Sequence, residues 1–118
     1  MGSTSIPPRA LTARETAVLT TLLSAHPEYA AQLPHTRAVA TWGPESPSLD
    51  LRVTADSPRA ADALTGILTD ATVSDENTAP IGELLLWAQN GLLSAIEYAW
   101  YTDTRPHELP DPTRITVR

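Results

Sequence analysis

The stretch ELLLWAQNGLLSAIEYAWY, Glu83–Tyr101, decides the fold. At its centre Asn90-Gly91 is the strongest short-range turn signal, because both residues tolerate the positive φ of a type I′ turn. Flanked by apolar runs, it predicts a β-hairpin. The rival is a helix, since Leu, Ala, Glu and Gln all favour one. A mid-helix Gly91 would cost about 1 kcal/mol relative to alanine, and Trp100 and Tyr101 favour strand. The hairpin is the better reading. A two-residue turn also sets a register. In it Gln89 faces Leu92, Trp87 faces Ser94, Leu85 faces Ile96 and Glu83 faces Tyr98. On the opposite face Ala88 meets Leu93, Leu86 meets Ala95 and Leu84 meets Glu97. Both faces are then apolar, and Glu97 sits beside Ala95 and Ala99 with no other charge near it.

Upstream, Leu49-Asp50-Leu51-Arg52-Val53 alternates cleanly, with Leu49, Leu51 and Val53 inward and Asp50 and Arg52 outward. Arg37–Trp42 alternates too, with Val39 on one face and Ala38, Ala40 and Trp42 on the other. The intervening Gly43-Pro44-Glu45-Ser46-Pro47 is a turn by composition, so the two runs form an antiparallel hairpin. Ile67–Ser74 leans to strand over its second half, Asp56–Gly66 is ambiguous between a helical turn and a loop, and Ile115 and Val117 suit a short edge strand. Nearer the start, Thr12-Ala13-Arg14-Glu15 has capping-box form. Val18, Leu19, Leu22 and Leu23 follow at helical spacing, predicting a helix from about Ala13 to Ala25. Pro27 breaks it. A further turn or two carries Tyr29, Ala30 and Leu33 inward, and Pro34 ends it. Residues 1–10 read as a flexible leader and 11–118 as one domain.

The fold class expected is therefore α+β: an N-terminal helix, broken near Pro27, packed on an antiparallel sheet of four to five strands. The 118 residues carry 42% hydrophobic and 19% charged residues, the balance of a folded chain. No apolar run reaches membrane-span length. With no basic-then-apolar leader the expected location is cytoplasmic. There are no cysteines, so neither disulfides nor thiolate metal sites form. The net charge is -6, and the eight basic residues are all arginines, spread along the chain. That spacing offers no concentrated positive stripe for nucleic acid. The acidic surplus favours solubility and would attract basic partners.

Catalytic and metal motifs are missing from the sequence. His26, His35 and His107 lie far apart, no serine has an evident histidine partner, and the five glycines do not make a phosphate loop. No cofactor is expected. Glu97 is the most informative polar residue, because a carboxylate on an apolar face must be paired or carry a raised pKa. It suits a general acid or base or an anchor for a ligand amine, against an ordinary pairing to Arg37 or Arg52 or exposure at a sheet edge. Trp87, Tyr98 and Trp100 would anchor a partner if their face stayed open, and the Pro106–Val117 tail is the competing cover. Trp87, Glu97, Tyr98 and Trp100 are thus the candidate ligand- or partner-binding residues.

Ile81–Trp87, Asn90–Tyr98 and then Pro106 with Leu109-Pro110-Asp111-Pro112 resemble small actinobacterial proteins with a hydrophobic strand, an Asp/Asn-Gly turn, a Leu-Ser-x-Leu-Glu-like strand and a Pro-rich tail. The absence of Lys and Phe fits such a GC-rich genome. Similar patterns occur in immunity-like proteins that neutralise toxins by binding them. The resemblance supports the hairpin, adds no catalytic residue and makes Glu97 a recurrent element of the pattern; the binding reading itself comes from the two-sided apolar hairpin and the missing catalytic constellation. The expected function is a non-enzymatic protein-binding or regulatory factor, immunity-like, meeting a protein partner or a second copy through a sheet face, with no nucleic acid or membrane. The alternative is a small-ligand-binding protein or minor enzyme with a pocket around Glu97.

Overall fold

Thr12 opens the first helix as its capping box requires. Its hydroxyl accepts from the Glu15 amide, and the Glu15 carboxylate accepts from the Thr12 amide. The computed structural model describes residues 3–118. Strand β1 spans Thr4–Ala10, followed by helices α1 (Ala13–Leu22) and α2 (Pro27–Ala30). Then come β2 (Thr36–Thr41), β3 (Leu49–Val53), β4 (Gly66–Ser74), β5 (Pro80–Gln89), β6 (Leu92–Trp100) and β7 (Ile115–Val117). The strands form one antiparallel sheet in the order β1-β2-β3-β6-β5-β4-β7. The class is α+β.

Seven strands replace the four to five expected. The main correction is at the start, where Thr4–Ala10 forms the edge strand β1 rather than a flexible leader. Met1 and Gly2 lie outside the described residues. Pro7 and Pro8 hid this strand, yet they fall where β1 skips its pairing with β2, between Ser5 and Arg9. An edge tolerates residues that cannot donate to a ladder. Arg9 also grips Glu15 through two hydrogen bonds of 2.8 and 3.0 Å, tying β1 to α1. Burial alone would raise the Glu15 carboxyl, but the Arg9 guanidinium and the Thr12 amide outweigh it and hold the carboxyl below its ordinary range. The break near Pro27 is present, with α1 ending at Leu22 and Pro27 opening α2. Pro34 lies inside a short 3-10 turn, Leu33–His35, instead of closing a helix. The ambiguous stretch before Gly66 is loop.

The Asn90-Gly91 turn has positive φ at both residues, +51° and +77°. Its first two pairs, Gln89 with Leu92 and Ala88 with Leu93, are those expected. Ser94 is then bulged out, so Trp87 pairs with Ala95, Leu86 with Ile96, Leu85 with Glu97 and Leu84 with Tyr98. A bulge places two residues opposite one and exchanges the faces beyond it. Beyond Ser94 the expected register is one residue out. Val39 in β2 and Leu68 in β4 are skipped in the same way. The expected grouping of Ala38 with Ala40 fails for this reason: Ala38 opposes inward Leu51, and Ala40 opposes outward Asp50.

One face of the sheet carries Leu84, Leu86, Ala88, Leu93, Ile96 and Tyr98, all buried against Val18, Leu19, Leu22 and Leu23 of the helical side. The tail joins that side. Leu109 is buried in the same core, and its carbonyl accepts from Arg14 at 3.0 Å. Gln32, fully buried, reaches from the helical segment to the hairpin: Nε2 donates to the Gly91 carbonyl at 2.8 Å, and Oε1 accepts from the Leu93 amide at 3.0 Å. β3 and β6 pair only at Leu49–Ile96 and Asp50–Ala95 before parting.

Candidate functional site

The helices and tail pack on one side; on the other face the small Ala40 and Ala95 are buried, while the larger Trp42, Asp50 and Trp87 around them stay half-exposed. Strand alternation, corrected for the bulges, decides what that face displays. Across the middle run Ala40 of β2, Asp50 of β3, Ala95 of β6, Trp87 of β5 and Ile67 of β4, each paired to the next. The adjacent row holds Glu97, Leu85 and Asp70. Ile67 is 47% exposed, and Trp87, Leu85 and Glu97 are half-buried. Trp42, just past the end of β2, turns onto this face.

Two tryptophans on it are each tied to a carboxylate. Trp42 Nε1 donates to Asp50 Oδ1 at 3.0 Å, and Trp87 Nε1 donates to Glu97 Oε1 at 3.3 Å. These bonds orient the indoles without neutralising the acids. Among the described residues no arginine or histidine lies within ion-pair distance of Asp50 or Glu97. The two other acids of the face differ: Arg118 contacts Glu83 at 2.7 Å and Asp70 at 3.7 Å. Trp42 and Trp87 wall a groove of about 530 Å³ with Asp50 and Ala95 between them. A second hollow, of about 300 Å³, is lined by Glu97, Trp42, Trp100, Ser48 and Arg105. Both are open at the surface.

The expected site residues separate. Trp87 and Glu97 come together on the open face, through the Ser94 bulge that placed Glu97 opposite Leu85 rather than Leu84. Glu97 is not the lone charge of its face, which also carries Asp50, Asp70 and Glu83. Tyr98 belongs to the helix-side core, 6% exposed, with burial pushing its phenol above the ordinary range. Its ring crosses Gly82, where an added Cβ would lie 2.9 Å from it and 2.6 Å from the Ala99 carbonyl. Its amide donates to Ser48 Oγ at 2.8 Å. Ile96, expected beside Trp87, is buried with Tyr98 on the core side. Trp100 stands at the end of β6, 38% exposed, at the rim of the second hollow.

Trp42 and Asp50 were missing from the expected set. Asp50 was legible as outward, but Trp42 was grouped with Ala38, which faces the core, and the meeting of both with Trp87 required the β3–β6 pairing, which joins strands distant in sequence. Of the histidines, His35 lies 3.9 Å from Asp56. Among the described residues no group of three or more His, Asp or Glu is arranged to hold a metal. The described helices include none long and apolar enough to cross a membrane. No protein-family model, curated protein or solved structure matches the chain.

Proposed function

We propose that this chain is a non-enzymatic binding protein, a regulatory or immunity-like factor that engages a protein partner through the open face of its sheet. One observation carries the reading: the two indole–carboxylate pairs, Trp42 with Asp50 and Trp87 with Glu97, all four side chains half-exposed on the face opposite the helices. A half-desolvated tryptophan is a good interface anchor, and an indole beside an uncompensated carboxylate attracts a cation by charge and by its π face. The partner accordingly presents a basic side chain. Self-association through this face would set like carboxylates against each other, so a different, basic protein fits better than a second copy. The net charge of -6 assists such an encounter.

Capture from native cells on the immobilised chain, with Trp87→Ala and Asp50→Asn as parallel baits, tests this. The expected result is a partner retained by the unsubstituted chain, lost with both variants and released as salt rises. Retention by both variants, with their melting unchanged, would defeat the reading. Light scattering that finds a dimer dissolved by the same substitutions would instead favour self-association.

The hollow beside Glu97 favours a second reading, a small-ligand site or minor enzyme. Its size suits a small molecule, and Glu97 is tied to an indole and not to arginine. A ligand amine there would be lost with Glu97→Gln while partner capture persisted.

A further inference from the structure

Beyond the acidic, aromatic centre of the open face, we infer that the cleft where β3 and β6 part is an oxyanion-binding site built on Arg52 and Arg59. The two strands hold together for two residue pairs and then diverge, so Leu51–Val53 and Leu92–Ser94 become the walls of a hollow of about 230 Å³. Arg52, Arg59, Gln89, Asn90 and Ser94 supply its polar lining. Every one of these side chains can donate a hydrogen bond, and none is a carboxylate.

The charge distribution is informative because the protein as a whole is acidic. Its arginines are dispersed in sequence, yet the fold gathers Arg37, Arg52 and Arg59 at this end of the sheet. Arg37 and Arg52 are directly opposed across β2 and β3, and both are exposed. Like charges facing each other across strands are destabilising. Among the described residues no carboxylate lies within ion-pair distance of any of the three. Arg59 is positioned by donating Nη1 to the Asn90 carbonyl at 2.8 Å, which fixes its guanidinium beside the turn and leaves its other donors free. An anion between Arg52 and Arg59 would offset the charge that Arg52 shares with Arg37 and use the planar guanidinium forks, whose geometry matches a carboxylate or a phosphate group.

Titration of the isotopically labelled protein by NMR tests the site, with inorganic phosphate and acetate as separate probes and chloride as control at equal ionic strength. Saturable shifts confined to residues around Arg52, Asn90 and Ser94 are expected with at least one probe. Tighter binding of phosphate names a phosphoryl ligand, and tighter binding of acetate names a carboxylate. Arg52→Gln and Arg59→Gln should each weaken that binding about tenfold, the loss of one charge-assisted contact. Both positions are exposed, and Arg52→Gln should melt no lower than the unsubstituted protein because it removes the clash with Arg37. Shifts matched by chloride, or unweakened binding in the two variants, would overturn the assignment. Partner capture is read separately, so failure here leaves the acidic groove untouched and the converse also holds.

Discussion

The Gln32 side chain is the polar contact on which the hairpin end depends. It satisfies a backbone donor and a backbone acceptor inside the protein, while the Gln32 backbone carbonyl accepts from Thr36 Oγ1 at 2.8 Å. Gln32→Leu would strand the Leu93 amide without a partner and should cost about 2–3 kcal/mol in urea denaturation. Tyr29 is a second such residue, buried with its hydroxyl donating to Asp62 Oδ1 at 2.6 Å. Burial first, then that bond and the Asp62 charge, push the hydroxyl up to about 12. The phenol is neutral in both folded and unfolded chains below pH about 10, so its contribution is intact there. It is lost as pH climbs from about 10 toward about 12, where the unfolded chain ionises first. Tyr29→Phe should lower stability at neutral pH by about 1 kcal/mol and flatten the alkaline decline, as read from denaturation midpoints across that range. Tyr29 was legible as an inward residue. Its Asp62 partner, and the Gln32 clamp, were not, because each joins segments that only the folded chain brings together.

Among the elements, the β5–β6 hairpin shows most clearly what local sequence can tell. Asn90-Gly91 announced the turn, and the turn has the backbone it called for. Gly91 is needed twice over: its φ is +77°, and an added Cβ would lie 2.8 Å from the Ala60 carbonyl. Gly91→Ala should therefore cost more than the roughly 1 kcal/mol of a strained conformation alone. Gly82→Ala meets backbone and the Tyr98 ring at once and should cost about 3 kcal/mol. Thermal melting of both variants checks the pair. The Ser94 bulge was hidden because nothing in Leu-Ser-Ala-Ile distinguishes a bulged serine from a paired one. Neighbouring strands select it: Leu93 and Ile96 both fit the core only if one residue between them is skipped. The capping box at Thr12 was legible for the opposite reason, since all its partners lie within four consecutive residues.

At the scale of the whole molecule, one face is packed and the other is open, and the two should answer mutation differently. Leu86→Ala empties a fully buried position and should cost about 3 kcal/mol. Trp87→Ala, next along the strand but on the open face, should cost about 1–2 kcal/mol and leave a cooperative fold whose partner binding is lost. Calorimetry with a binding assay separates these outcomes. By itself the sequence determined the α+β class, the broken N-terminal helix, the hairpin and its turn, and the inward residues of the first helix and of Leu49–Val53, since these follow from propensity and periodicity over a few neighbours. Only the tertiary structure decided the edge strand at Thr4–Ala10, the bulges, the face on which Glu97 lies, its company with Trp87, Trp42 and Asp50, and the gathering of the arginines. Those features depend on which strands lie side by side. A one-residue shift, invisible in the local pattern, moves every later side chain of a strand to the opposite face.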